Sequence, residues 1–320
     1  MDIVGRSIEI IQSEGLVGFV KAVGRFVYYH PIGEIVANTL YEIYGRFRPV
    51  VVKNVLGSKM ELRLSDYGIC RDLFFHKVWE KESTMIYMNM LESQDVVFDI
   101  GSNIGYYALL ASRYTKKVYA FEPDPRNFPG LKKNIELNNC INIEPYNLAV
   151  SDRESEIDFL IDSEYCNRSR IATSTQKNQK AQTIKVKAIS VDDFVSKKGI
   201  NSVDVIRSDV EGYEYFIIKG AKKTIKKHKP KMFLEIHPQL IREYGGDVEE
   251  FLNTLKDYRV KYLVKKDFSF LRGVVYPFGG PYKNRLRVFK LNCTIDELLD
   301  SKLRDIVLNT EAYHLFLEGD

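Results

Sequence analysis

The chain has 320 residues, enough for one α/β domain with additions and for a large buried core. An apolar share of 45%, a charged share of 28% and a formal net charge of +4 give a mixed surface without the strongly basic balance of a nucleic-acid binder. Four scattered cysteines (Cys70, Cys140, Cys166, Cys293) without a C-x-x-C pair argue against a zinc or disulfide framework, and no apolar run reaches 18 residues, so the expected location is cytoplasmic.

Residues 1–48 read as an amphipathic helical extension, broken near His30-Pro31 and Gly33. Its apolar positions (Val17, Phe19, Val20, Val23, Phe26, Val27) suit packing on a core. With Lys21 and Arg25 they also suit peripheral contact with a membrane surface, although the few basic residues favour packing. Residues 49–92 read as a β-hairpin and a helical lead-in: Val50-Val51-Val52 is β-branched, Leu56-Gly57-Ser58 turns, Met60–Leu64 alternates, and Ile86–Leu91 is helical. From 93 to 293 strands alternate with helices. Strands are expected at Val96–Phe98, Lys117–Phe121, Ile143–Val150, Val203–Ile206 and Met232–Ile236, with helices at Asn103–Tyr114, Phe128–Asn138 and Tyr213–Lys227. Such alternation predicts a parallel sheet covered on both faces, with ligands at the edge where the strands end. An insertion at 151–190 carries strand-like runs at Ile157–Ile161 and Ile184–Ala188, joined by the polar stretch 168–182. That stretch reads either as a loop closing over the site or as a solvated insertion. In 294–320, Thr294-Ile295-Asp296-Glu297 fits a capping box that starts a helix packed on the core through Leu298, Leu299, Leu303, Ile306 and Val307.

The segment Val96–Tyr107 is a buried strand, a glycine turn and a helix start. Gly101 lets the backbone approach a ligand, and Gly105 allows close packing of the helix. A dinucleotide fingerprint needs G-x-G-x-x-G, and here Asp99 and Ile104 stand where the first and third glycines belong. A carboxylate at Asp99 repels a pyrophosphate but suits the ammonium and sulfonium of S-adenosylmethionine. Glu122, 23 positions on at the end of the second strand, suits ribose hydroxyls. After the third strand, Asn147 and the Ala149 backbone border the expected adenine pocket. The cofactor-binding set is therefore Asp99, Gly101, Ser102, Asn103, Gly105, Tyr106, Glu122, Asn147 and Ala149.

The fourth strand runs into Asp209 and Glu211, and the fifth ends on Glu235 and His237. Each pair is spaced by two, so its members share a face. These four are the candidate catalytic residues. His237, with an ordinary pKa of about 6.5, or Asp209 could take a proton from an attacking hydroxyl. The same four could instead supply ligands to Mg²⁺, although no spacing is diagnostic of a metal. Helix capping, or pairing with Arg207, is the structural alternative for Glu235 and His237. The lysine run Lys222, Lys223, Lys226, Lys227, Lys229 and Lys231 reads as a solvated face; without interleaved aromatics it makes a poor RNA site.

These motifs, in this order, resemble the FkbM family of methyltransferases: Phe98–Tyr107, Phe121-Glu122-Pro123, Asn147–Asp152, Ser208-Asp209-Val210-Glu211-Gly212-Tyr213-Glu214 and Leu234–His237. The similarity spans roughly residues 50–265, with Arg207 standing where many relatives have lysine. It implies an α/β, Rossmann-like class I methyltransferase fold with a mostly parallel seven-stranded sheet. It also implies S-adenosylmethionine as cofactor and a hydroxyl of a glycan or small metabolite as acceptor. RNA or protein methylation with the same cofactor, and a nucleoside-binding module without catalysis, stand as alternatives. Oligomeric state is not legible.

Overall fold

The computed structural model describes residues 39, 41–66, 68–161, 169–172, 182–267 and 285–319. The chain divides into two compact units. One comprises Met1–Val55, Met60–Trp79 and Asp267–Arg285; the other comprises Leu56–Lys59, Glu80–Lys266 and Leu286–Asp320. Apart from a helical stretch at 41–47, most of the N-terminal extension lies outside the described residues, and with it the membrane-contact expectation. Among the described residues no helix is long and apolar enough to cross a membrane.

Strands β1 (Val50–Val55) and β2 (Ser58–Arg63) form the expected hairpin. Leu56 and Gly57 at its tip have φ of 46° and 88°, the left-handed pair that matches the twist of two antiparallel strands. Alternation buries Met60, Leu62 and Leu64 on one face. A helix at Ile69–His76, which the sequence reading did not anticipate, adds Leu73 and Phe74, and Tyr41 packs edge-on to Phe74 at 5.5 Å.

The second unit is built on β3 (Val96–Ile100), β4 (Lys117–Phe121), β5 (Ile143–Tyr146), β6 (Ala149–Ser151), β7 (Ser155–Ile161), β8 (Arg170–Ile171), β9 (Gln182–Ser190), β10 (Val205–Ser208), β11 (Lys231–Ile236), β12 (Tyr258–Asp267), β13 (Arg285–Thr294) and β14 (Tyr313–Gly319). The main sheet has the order β13-β12-β14-β11-β10-β3-β4-β5. β11, β10, β3, β4 and β5 are parallel, and β14 runs antiparallel to both of its neighbours. The Rossmann-like α/β expectation holds, but the sheet has eight strands where seven were expected. The additional strand is β13 at the edge. Its residues alternate between partly buried and exposed from Leu286 onward, as a strand with one open side does, and the sequence reading gave that segment no element.

The C-terminal segment also differs from expectation. The capping box forms as expected, Thr294 and Glu297 bonding each other's backbone. The helices are short, at Ile295–Leu299 and Arg304–Asn309, and the chain then enters the sheet as β14 with Tyr313, Leu315, Phe316 and Leu317 buried. A continuous apolar run of this length is a strand buried on both faces, and helical periodicity read from the cap does not extend through it. The expected strand at Ile143–Val150 divides: β5 stays in the main sheet, whereas β6 joins β9, β7 and β8 in a second, four-stranded sheet. The expected helix Tyr213–Lys227 breaks at Gly220, where a Cβ would lie 2.3 Å from the Ser151 carbonyl. The polar stretch 168–182 lies largely outside the described residues; within it, Arg170–Ile171 forms β8.

This topology fixes where ligands go. From β3 the chain proceeds outward to β4 and β5, then returns to β10 and β11 on β3's other side. The order therefore reverses between β3 and β10, and the crevice beyond their carboxyl ends is the place where open α/β sheets bind ligands. The register sets Arg207 of β10 beside Asp99 of β3 and Phe233 of β11, so these three side chains share one face.

Candidate active site

The turn after β3 is held by backbone and by glycine. The Gly101 and Ser102 amides both donate to the Phe121 carbonyl at 2.9 Å, which ties the loop to the end of β4. Gly101 has φ 79°, and a Cβ there would stand 2.0 Å from the Asp209 carbonyl. No other residue fits both the conformation and the space. The close approach is thus to the chain leaving β10. Gly105, φ 91°, is pressed against Leu131 of the helix Phe128–Leu137, where the sequence reading expected it against a strand. The Ser102 hydroxyl donates to the Asp99 carbonyl at 2.8 Å, and Tyr106 is buried with its hydroxyl 3.1 Å from that of Thr84.

Glu122 ends its strand as a buried carboxylate. The Asn103 amide donates to one oxygen at 2.7 Å and the Asp124 amide to the other at 2.8 Å. When ionised, each oxygen retains a second lone pair for a ligand hydroxyl; when protonated, one oxygen offers a lone pair and the other an O–H donor. Burial raises its pKa to about 8, against the lowering effect of the two amides. The Asn103 side-chain oxygen is buried without a hydrogen bond beside it on the same loop. Asn147 is exposed and donates to the carbonyls of Glu122 and Pro123 at 2.8 and 3.1 Å, pinning that strand end. The Ala149 side chain instead packs in the second sheet with Phe159, Ile161, Val186 and Ala188.

Asp99 is fully buried and does not stand open to a ligand, as the sequence reading supposed. Arg207 lies across it, with Nη1 3.3 Å from Asp99 Oδ1 and 2.9 Å from the Gly101 carbonyl, while Nη2 reaches Asp209 Oδ2 at 2.6 Å. The guanidinium also lies over the Tyr107 ring, 4.4 Å from its centroid. Burial raises the Asp99 pKa and Arg207 pulls it back. For Arg207, burial opposes the charge, but Asp209 and Asp99 outweigh it and the cation is secured. With both acids ionised the trio carries one net negative charge. Its buried Asp99 Oδ2 makes no hydrogen bond, so the residues at the crevice fit a cationic group.

Beyond β10 and β11 lies the second constellation. Glu211 and Gly212 have φ of 53° and 94°, a left-handed pair that swings the chain into the helix Glu214–Lys219. His237 Nε2 stands 3.5 Å from Glu211 and 3.4 Å from Glu235, and Nδ1 stands 3.7 Å from Glu214, a residue outside the expected set. Burial lowers the His237 pKa, but Glu211, Glu214 and Glu235 together raise it to about 10. An imidazole so placed keeps its proton at neutral pH and is not the base expected from an unperturbed histidine. The Asp209 and Glu211 side chains are 25% and 23% exposed, against 8% for His237 and 6% for Glu235. The first pair therefore forms the rim and the second pair its floor. The Mg²⁺ expectation is not supported by this arrangement. Asp209 is taken up by Arg207, and the donors that gather among the described residues belong to Glu80, Glu235 and His314. The lysine run lies elsewhere. Lys231 is the first residue of β11, at the opposite edge of the sheet from Gly101 and Asp209, and its ammonium binds the Met90 carbonyl, Glu92 and Asp95.

Sequence reasoning therefore found the acids but not what holds them. Arg207 was read as a departure from lysine and as a structural partner for Glu235 or His237, whereas its ion pairs are with Asp99 and Asp209; its strand-end position between two acids was the available signal. Glu80 and His314 carry no local motif; only the pairing of β14 with β11 brings His314 opposite Glu235.

The chain is 30% identical over 148 residues to the hexuronic acid methyltransferase AglP of Haloferax volcanii, covering 46% of this chain and 58% of that protein. It is 30% identical over 155 residues to the 2-O-methyltransferase NoeI of Sinorhizobium fredii, covering 44% and 63%. A tRNA(Phe) (4-demethylwyosine(37)-C(7)) aminocarboxypropyltransferase of Methanocaldococcus jannaschii is 30% identical over 124 residues, covering 36% and 48%. The matches thus span less than two thirds of each relative's length. Among solved structures, a methyltransferase FkbM from Methylobacillus flagellatus matches with a TM-score of 0.36 and 18% identity, over 60% of this chain and 50% of that one. The methyltransferase FkbM domain itself matches residues 99–262, from the acid of the glycine turn to the middle of β12 and over half of the 320 residues, and the chain belongs to that family.

Proposed function

We propose that this chain transfers a methyl group from S-adenosylmethionine to a hydroxyl of a sugar or glycan. The observation that carries the reading is the switch-point crevice, which has the buried Glu122 on one side and the Asp99–Arg207–Asp209 trio on the other. S-adenosylmethionine supplies an activated methyl on a sulfonium, together with an ammonium and a ribose. Glu122 holds the ribose hydroxyls on its remaining lone pairs, with Asn103 and Asn147 fixing the surrounding backbone. The net negative charge of the trio favours the cationic end of the cofactor. Asp209 and Glu211, as the exposed rim, would receive the acceptor: Asp209 would orient the attacking hydroxyl and Glu211 would accept its proton as the methyl–sulfur bond gives way to the methyl–oxygen bond and the neutral thioether is left behind. Glu235 and His237, beneath them, position Glu211. A sugar acceptor fits the name of the hexuronic acid methyltransferase AglP, methylation at oxygen fits that of the 2-O-methyltransferase NoeI, and an RNA acceptor fits that of the aminocarboxypropyltransferase. The lysine of the run that is placed against the sheet, Lys231, starts β11 at the edge opposite the rim and is bound to Glu92 and Asp95, which favours the sugar.

The test is a radiolabelled-methyl assay on uronic-acid-containing glycans, neutral glycans, lipid and RNA. Label is expected in a glycan fraction and absent from RNA. Glu211→Gln should retain cofactor binding and lose roughly 100-fold or more in rate. Binding of the cofactor without turnover on any fraction would favour a nucleoside-binding module, and label in RNA would overturn the acceptor class.

A further inference from the structure

Glu80, Glu235 and His314 form a second cluster, separate from the glycine turn. Glu235 and His314 are directly opposed residues of β11 and β14. Glu80 sits just ahead of the helix Lys81–Met90 in a left-handed conformation, φ 42°, and Ser83 lies in that helix's first turn. His314 is wholly buried. Its Nδ1 shares a 2.6 Å hydrogen bond with the Ser83 hydroxyl. Its Nε2, equally buried, makes no hydrogen bond and points between Glu80 Oε2 at 3.4 Å and Glu235 Oε2 at 3.3 Å. One donor atom from each of the three residues lies within 4.8 Å of the other two.

These separations exceed ordinary N–H···O distances of about 2.7–3.2 Å. The two measured from His314 Nε2 match the edge of a tetrahedron whose centre lies about 2.0–2.1 Å from each donor, roughly 3.3–3.4 Å, and a donor atom of each carboxylate lies within 4.8 Å of the other. The hydrogen bond to Ser83 fits the same picture. When Nδ1–H donates to the Ser83 oxygen, Nε2 is left with a lone pair facing two carboxylates. Metal-bound histidines are oriented in this way through the outer ring nitrogen. A lone pair and two carboxylate oxygens repel one another unless a cation or a proton lies between them.

We propose that Glu80, Glu235 and His314 bind one divalent transition-metal ion of the zinc class, with Ser83 orienting the imidazole. One nitrogen and two oxygens suit such an ion better than Mg²⁺, which prefers an octahedral set of oxygens at shorter edges. Glu235 turns its other oxygen to His237 at 3.4 Å, so the ion site adjoins the floor of the crevice. The site is argued from its own geometry and does not rest on the proposed methyl transfer.

The test is metal binding by the full chain, stripped with chelator and titrated separately with Zn²⁺ and with Co²⁺ as a spectroscopic stand-in. Metal per chain is read by plasma mass spectrometry. One ion per chain is expected, with the visible absorption of four-coordinate Co²⁺. His314→Gln and Glu80→Gln should each weaken Zn²⁺ binding by at least 100-fold, and Ser83→Ala, a milder change with its fold checked by circular dichroism, by about 10–100-fold. Failure of the wild type to take up a stoichiometric ion would overturn the proposal. Unchanged affinity in both His314→Gln and Ser83→Ala would also overturn it, by placing any bound ion elsewhere.

Discussion

The carboxylate of Glu122 is held by two backbone amides at 2.7 and 2.8 Å, whereas the His237 ring meets three carboxylates at 3.4–3.7 Å. The first arrangement is fixed by chain conformation, because moving Glu122 means moving the loop after β3. The second is made of side chains alone, at separations that commonly shorten only when a ligand arrives. One region is preorganised by the fold; the other is assembled from residues distant in sequence and depends on what binds there. Between them lies Arg207, buried and shared by Asp99 and Asp209.

Breaking that link should have the largest effect. Arg207→Met leaves Asp99 and Asp209 without their cation and should cost about 3–5 kcal/mol in stability, read from denaturant midpoints. Adding Asp99→Asn should recover part of the loss, since the two residues act as one unit. Gly101→Ala attacks the preorganised side, setting a Cβ against the Asp209 carbonyl at φ 79°, and should cost about 2–4 kcal/mol while impairing cofactor binding in calorimetry.

The contrast also explains what could be read in advance. Asp99, Gly101, Gly105 and Glu122 lie within one strand–turn–helix–strand unit, so their relation follows from local chain geometry and was legible. Asp209, Glu211, Glu235 and His237 were legible as strand-end residues sharing a face, but not in their partners. Arg207 turns Asp99 from an open ligand for cations into one member of a trio, and three carboxylates keep His237 protonated. The apolar run Tyr313-His314-Leu315-Phe316-Leu317 hid a strand behind a genuine capping box. Only that strand's register brings His314 to Glu235, and long-range pairing of this kind leaves no local trace.

A smaller, pH-dependent effect sharpens the account of Glu122. In the folded chain it holds its proton up to about pH 8, whereas in the unfolded chain it releases it near the ordinary value of 4.5. Its contribution to stability is therefore full below pH 4.5 and declines as pH rises to about 8. Glu122→Gln should flatten that part of the stability profile measured by thermal unfolding; an unchanged slope would mean that the carboxylate titrates normally. Least of all should change with Lys226→Ala and Lys227→Ala, exposed residues of the helix Lys222–His228. Stability should stay within about 0.5 kcal/mol and methyl transfer to glycan should be unaffected. A selective loss of RNA labelling in those variants would point to the rival acceptor.

The central claim is that the crevice between the glycine turn and Glu122 holds S-adenosylmethionine. Calorimetric titration of the cofactor into the full chain and into Glu122→Ala tests it most directly. One equivalent should bind the wild type, with affinity at least tenfold weaker in the variant. No binding to the wild type, or equal affinity in both proteins, would contradict it.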